Sequence, residues 1–434
     1  MKRSIRYISL FAAMTILTAM TGCSGESAPD NTVRPLRIVT TIFPEYDWVK
    51  TITEKSGAEV SILQNNGTDM HSYKLTAEDI IRINECDVFI YVGGESDESI
   101  KDVLATAPKT GRAEIKLMDV LKDRVRDEEL TEGMVSTEEE EPASDEHVWL
   151  SLTNAVLCSD KITEVLSDKD PGNAKLYQAN HDDYVKKLKK TDEDFKEVLK
   201  SASSDTVVFG DRFTFRYLFD DYSIKYYAPF SGCSAETEAS FETISFMADK
   251  LDECSSEYIA VLKGGNSKLA KTISESSKSK KAELIELDPM QQVTQEEIDS
   301  GVRYIDIMKD DLSVLAKILG VIDTDLTELS SGMVYATVFD IVSQPDSYIG
   351  KNVRMEGIYN EFTDPESNIT HKGCIVQDAT QCCAQGIEFI TDDDTGIAPE
   401  QKITVVGRFG KYDNNGVPYY ALLNAKVTSS SSSS

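Results

Sequence analysis

PGNAKLYQANHDDYVKKLKKTDEDFKEVLKSAS, Pro171 to Ser203, is the stretch on which the fold turns. Leu176, Tyr177, Tyr184, Leu188, Phe195 and Leu199 fall on one stripe of a helix, with proline near the start, where a missing N–H costs nothing. About thirty residues at 1.5 Å each predict a rod of roughly 45 Å. A rod of that length suits a backbone running the height of two lobes, more than a core element of one. His181 falls on the polar face of this helix and is expected at the surface.

On the N-terminal side, RIVTTIF, VSILQN, DVFIYVG and AEIKLM alternate with helical patterns such as TAEDIIRINEC, which predicts parallel strands linked by helices. On the C-terminal side TVVFG, IKYYAPF, EYIAVLKGG and AELIELD repeat the alternation and lead into a long helix from about Gln295 to Leu319. The economical reading is an α/β fold: two parallel-sheet lobes, 36–170 and 204–320, joined by the backbone helix of 171–203. Within the first lobe, 123–146 contains EEEE and no apolar period, and is expected to be a mobile acidic loop, either a solvated charge run or a weak gatherer of cations. Beyond the second lobe the pattern changes. VYATVFDIV, NVRMEGIYNEF, GCIVQD, IEFI, KITVVGRFGKY and PYYALLNAKV read as strands joined by turns such as DNNG, so 333–428 predicts a small all-β barrel of OB type.

Residues 1–23 read as an export signal: Lys2, Arg3 and Arg6 precede an apolar stretch from Ile8 to Met20 that is too short to span a bilayer. The ending MTGC resembles a bacterial lipobox, which makes Cys23 the lipidated mature N-terminus, 24–35 a polar tether, and the body an extracytoplasmic one held to the bacterial cell membrane. Loss of Cys23 to the anchor leaves seven of eight cysteines, an odd number, so at least one is expected to lack a partner within the monomer. Forty-five basic against seventy-five acidic residues give a formal charge of -30, which repels phosphate backbones and excludes nucleic acid as the expected partner. The same charge suits a protein that gathers cations.

Four histidines serve 434 residues, and two of them fall in loops next to strand or helix ends. His71, in GTDMHSY, follows the strand run VSIL; His147, in SDEHVWLSL, immediately precedes a helix expected from about Ser151. Asp211, in TVVFGDR, and Asp288, in ELIELDPM, also follow strands. Ligands of open parallel sheets bind outside the carboxyl ends of strands, so these residues are placed to share one crevice. Two imidazoles and one or two carboxylates suit a divalent transition metal, since all-oxygen sites favour magnesium or calcium. Cys233, in SGCSAE, lies on a loop near the same cleft as a soft accessory contact.

With these motifs the chain from about 36 to 320 resembles the solute-binding lipoproteins of zinc/manganese ABC transporters, the cluster A-I metal-binding proteins. GTDMHSY is similar to that family's first-ligand loop, DEHVWLS to its second, PGNAKLYQAN to its inter-lobe helix, and LDPM to the strand end that carries its fourth ligand. ETEAS, with Glu238 and Ser240, resembles its Glu-Pro-Ser turn. At the third ligand the pattern breaks: anchored on Phe215, Tyr217 and Leu218, that position is Arg212, whose guanidinium cannot bind a cation. The resemblance implies capture, not catalysis. His71 and His147 on one lobe, and Asp288 with Asp211 or Glu238 on the other, would hold zinc, or manganese as the close alternative, for delivery to a membrane permease. It implies no enzyme. Because imidazoles bind metal only when neutral, affinity is expected to collapse below the free imidazole pKa of about 6.5.

HKGCIVQDATQCC, in the barrel, holds a second cluster: His371, Cys374, Cys382 and Cys383. Its alternatives are a zinc or copper site and a disulfide from Cys374 to one of the vicinal pair. Cys86, Cys158 and Cys254 sit in helical patterns as small buried hydrophobes. The rival functions are a metallohydrolase, for which no zincin, P-loop, kinase or nucleophile-elbow motif is present, and a surface adhesin or scaffold that carries a degenerate metal site, which the arginine at 212 keeps open.

Overall fold

The computed structural model describes residues 34–106, 111–134, 144–233, 239–280, 282–327, 329–363, 370–378, 383–391, 396–414 and 417–429. In the first lobe the strands are β1 (Arg37–Thr40), β2 (Glu59–Ile62), β3 (Val88–Tyr91) and β4 (Ala113–Lys116), all parallel, in the order β2-β1-β3-β4. Their helices are α1 (Phe43–Ile52), α2 (Ala77–Glu85), α3 (Glu98–Thr106), α4 (Leu117–Leu121) and α5 (Leu152–Lys169). β3 is buried at every position, as a central strand covered on both faces must be.

The backbone helix α6 runs from Ala174 to Leu199, 26 residues and roughly 39 Å at 1.5 Å per residue. Pro171 to Asn173 form the turn before it, where Asn173 Nδ2 and Tyr177 Oη both donate to Asp170 Oδ2, at 2.7 and 2.8 Å. Its buried stripe is Tyr177, His181, Tyr184, Leu188, Thr191 and Phe195. His181 is therefore not a surface residue: it lies four positions after Tyr177, on the inward face, and is held by Asp160 Oδ1 at 2.7 Å. Near one end Asn180 Nδ2 donates to the carbonyls of Ile52 and Glu54 in the first lobe; near the other Phe195 stacks on Tyr222 of the second, ring centroids 4.8 Å apart. One continuous apolar core spans both lobes through this helix.

The second lobe repeats the design with β5 (Thr206–Val208), β6 (Arg212–Phe213), α7 (Arg216–Tyr222), β7 (Lys225–Tyr227), β8 (Phe230–Ser231), α8 (Phe241–Glu253), β9 (Tyr258–Leu262), α9 (Lys268–Ser276) and β10 (Glu283–Leu287). β5 pairs β7, β9 pairs β10, and a parallel bridge from Phe209 to Ala260 joins the two pairs, giving β7-β5-β9-β10, the strand order of the first lobe again. The C-terminal helix expected in one piece is two, α10 (Gln295–Asp299) and α11 (Tyr304–Ile318), because Gly301 takes φ +93° between them. Arg303 Nε and the Tyr304 amide, at the start of α11, donate to Asp47 of α1 at 2.6 and 3.2 Å, a further tie between lobes.

After the short strand β11 (Thr324–Asp325), VYATVFDIV is not a strand but helix α12 (Ser331–Ser343). Its β-branched residues favour a strand, yet Val334, Val338 and Ile341 share a helical stripe that packs on the barrel, and tertiary packing outweighs propensity. The barrel strands β12 (Asn352–Thr363), β13 (Thr370–Gln377), β14 (Ala384–Phe389), β15 (Lys402–Asn414) and β16 (Val417–Ser429) run in the order β12-β13-β14-β16-β15 and close through β12–β15. This is a five-stranded barrel of OB type. Among the described residues no helix is long and apolar enough to cross a membrane.

The stretch expected as a mobile loop is docked over much of its length. Glu128 accepts from Ser231 Oγ at 3.0 Å and from the Cys233 amide at 2.7 Å, and Glu129 pairs with Arg216. Residues 135–143 of that stretch lie outside the described residues.

A pH dependence follows from Glu45, whose carboxyl is pushed up to about 8 by burial and by Asp97, against hydrogen bonds from Thr41 and Ile42. A raised carboxyl pKa keeps the proton bound in the folded state, so its stabilisation is complete below about 4.5 and is lost as pH rises through about 8. Glu45→Gln removes that titration. The urea midpoint of wild type should fall between about pH 5 and about pH 8 by more than that of the variant; equal slopes would show Glu45 ionised throughout.

Candidate metal site

Gly67 opens the loop after β2 with φ +72°, and a Cβ there would stand 3.2 Å from Thr294 Cγ2 of the second lobe, so glycine lets the loop approach. Asp69 then caps a single helical turn, Met70–Ser72, by accepting from the His71 amide at 3.0 Å. His71 is thereby turned toward the cleft between lobes. The Gln295 amide donates to Asn65 O at 2.7 Å, which fastens the same loop to the opposite lobe.

His147 arrives by a different route and is completely buried. Asp145 Oδ1 accepts from both its backbone amide, at 2.8 Å, and Nδ1, at 2.9 Å. Trp149, two residues on, donates from Nε1 to Pro289 O at 2.9 Å, and so sets the 289–291 turn of the second lobe against the histidine. Gly232 packs on the other side, where a Cβ would come within 2.9 Å of His147 Cε1.

The two imidazoles face each other with ring centroids 5.5 Å apart. Each Nδ1 is engaged away from the shared space, His71 with Ser96 Oγ at 2.8 Å and His147 with Asp145. With Nδ1 carrying the proton on both rings, both Nε2 lone pairs point inward, the arrangement that metal-binding histidines use. Gln291 Nε2 lies 2.8 Å from His147 Nε2 and 3.3 Å from His71 Nε2, so a side-chain amide occupies the point where a cation would satisfy both lone pairs. Among the described residues, His71, His147 and Cys233 form the group whose ligand atoms all lie within 4.8 Å of one another. Burial, and then His147, push His71 down to about 4, so it is neutral near pH 7. Burial and the carboxylates of Glu128, Asp145 and Glu146 push the Cys233 thiol up.

A cavity of about 550 Å³ opens beside the histidines, lined in part by Asp69, His71, Glu146, Asp211, Arg212 and Cys233. Arg212 does not face a cation: its Nη2 pairs with Asp69 Oδ2 at 2.9 Å, across the lobes, and holds the Asp69 carboxyl below its usual range despite burial that works the other way. Asp211 is half-buried, its Oδ2 is buried without a hydrogen-bond partner, and burial pushes its carboxyl up. An oxygen left in that state fits a cation nearby. A larger hollow of about 730 Å³, between the second lobe and the barrel, includes none of the four histidines.

Asp288 is engaged by other partners. Its Oδ2 accepts from Lys263 Nζ at 2.9 Å and its Oδ1 from the Met290 amide at 2.8 Å. The cause lies in the sheet: Leu262 and Leu287 are opposite each other at the ends of β9 and β10, so the next residues, Lys263 and Asp288, emerge side by side. Gln291 stands beside the imidazoles instead, a residue that the sequence reading passed over. Glu238 and Cys23 lie outside the described residues.

Among the described residues the barrel cluster is not brought together. His371 and Cys374 are three apart on β13 and face opposite ways, as strand alternation requires. Cys374 is a free thiol in the barrel core, whereas His371 Nδ1 meets Glu388 Oε1 at 2.6 Å, and Tyr412 Oη donates to the same oxygen at 2.7 Å. Cys383 is exposed and Cys382 lies outside the described residues. Cys86 and Cys158 are buried, as small hydrophobes would be; Cys254 is only half-buried.

Residues 38–318 match the family model described as zinc-uptake complex component A, periplasmic. The zinc-binding lipoprotein AdcA of Streptococcus pneumoniae is 28% identical over 312 residues, 72% of this chain and 60% of that protein. The chain thus spans about 60% of the length of that relative. The high-affinity zinc uptake system protein ZnuA of Bacillus subtilis is 29% identical over 318 residues, 70% of this chain and 95% of its own length. The crystal structure of the Zn(II)-bound ZnuA-like domain of the pneumococcal AdcA superposes with a TM-score of 0.53 at 26% identity, covering 66% of this chain and 99% of that one.

Proposed function

The chain belongs to the periplasmic zinc-uptake component A family, and from that premise we propose that it captures a divalent transition metal, zinc first, outside the cytoplasm and delivers it to an ABC permease. The observation that carries this reading is the convergence of His71 Nε2 and His147 Nε2 on one point, now marked by the Gln291 amide. The carboxylate candidates for the remaining coordination are Asp211, with its unsatisfied oxygen, and Glu238, which follows Cys233 by five residues. Asp288 would join only if Lys263 released it. Capture needs ligands and no general base, so no catalytic step is assigned. Cys23 is proposed as the lipid anchor that keeps the chain at the membrane near its permease.

The test is competitive titration of the chelator-stripped protein with zinc and manganese. Zinc should bind at one saturable site and more tightly than manganese, because two imidazoles favour the later metal in the affinity order. Absence of any saturable site would remove the transport reading and leave the adhesin or scaffold alternative.

A further inference from the structure

We propose that Cys233 supplies a third ligand, as thiolate, in place of Arg212, and that this makes the site selective for thiophilic ions over manganese. The inference rests on the metal-capture reading and names its cargo class. Three observations carry it. Cys233 Sγ and a ring nitrogen of each histidine lie within 4.8 Å of one another, a spread that one ion of tetrahedral zinc type closes with small side-chain movement. Gly232 brings the cysteine turn against His147, where no side chain would fit. Glu128 then fixes that turn from the first lobe by accepting from the Cys233 amide at 2.7 Å and from Ser231 Oγ at 3.0 Å.

The neighbouring candidates offer less. Arg212 is bound to Asp69 and cationic at every pH of interest, and the Gln291 oxygen, after a flip of the amide, is a neutral donor. A thiolate alone among the three brings negative charge and a soft atom. On binding, the S–H bond gives way to a sulfur–metal bond and the proton leaves to solvent. Thiolate with imidazole selects zinc, cadmium or cobalt(II), whereas manganese(II) prefers oxygen.

Cobalt(II) reports the sulfur directly. The full chain loaded with cobalt(II) should show a thiolate-to-cobalt charge-transfer band in the near ultraviolet, and Cys233→Ser should lose that band while retaining the weaker visible bands of imidazole-bound cobalt. The same variant should lose about tenfold or more in zinc affinity and little in manganese affinity, narrowing the preference between them. Zinc binding in wild type without the band, or an unchanged zinc-to-manganese ratio in Cys233→Ser, would overturn this inference and leave metal capture intact. Zinc binding that survives loss of both histidines would overturn metal capture itself. If Cys233→Ser does not fold, the wild-type cobalt spectrum decides alone.

Discussion

Replacing both His71 and His147 by alanine is expected to lower zinc affinity by more than about 10³-fold, effectively abolishing capture. Loss of an outer partner of a metal ligand costs about 10- to 100-fold, and removal of a ligand itself costs at least that much for each histidine. The single variants should each lose most of the affinity, because one imidazole and a thiol leave an ion largely to water. His147 is completely buried, so its truncation opens a small cavity, and metal-free thermal unfolding of each variant is the control for folding. Asp288→Asn belongs in the same titration: with its carboxylate held by Lys263, its zinc affinity should stay close to wild type. A loss as large as that of a histidine variant would mean that the lobes close further and recruit Asp288.

The acid limb of the same binding curve is shifted. His71 is held down to about 4 by burial and by His147, so a falling pH does not protonate it near the free imidazole value. Protons should therefore not compete with zinc for His71 until about pH 5.5 or below. Competitive titration across pH checks this; collapse at about pH 6.5 would put His71 in a more solvated setting than the structure gives it.

Much of the architecture was legible because it rests on period and length. Apolar runs at strand length fixed eight parallel strands in two lobes, and the stripe through Tyr177, Tyr184, Leu188 and Phe195 marked the helix that joins them. Reading failed where two local signals compete. The β-branched residues of VYATVFDIV argue for a strand, but their apolar face has helical spacing and the barrel covers it. His181 has a polar side chain and an inward position, and Asp160 reconciles the two. At the site, His71 and His147 were visible as scarce residues beside element ends, whereas the approach of Gln291 to them was not. Strand pairing decides it: once β9 and β10 are in register, Lys263 meets Asp288, and the turn held by Trp149 carries Gln291 three residues further, onto the histidines. Neither the register nor that indole contact can be read from spacing.

Gln291→Glu should convert a neutral member of this cluster into an anionic ligand and raise zinc affinity by about twofold to thirtyfold. The Gln291 amide already sits 2.8 and 3.3 Å from the two Nε2 atoms, so the substitution needs no new backbone geometry. Charge on one partner raises the worth of a polar contact from about 1 kcal/mol to about 1.5–3 kcal/mol, and every 1.4 kcal/mol is a factor of ten. The cost falls on the metal-free protein. Gln291 is 4% exposed, and a carboxylate there has the two imidazoles for company, of which His71 resists protonation. Leaving a buried charge without compensation costs up to about 3–5 kcal/mol. The variant should thus unfold at a lower temperature than wild type when stripped of metal, and saturating zinc should raise that temperature by more than it does in wild type. Manganese affinity should rise as well, since the added donor is oxygen, and the zinc preference ascribed to Cys233 should narrow without disappearing. Unchanged affinity together with unchanged metal-free stability would place residue 291 outside the coordination sphere and return the fourth position to Asp211, Glu238 or water.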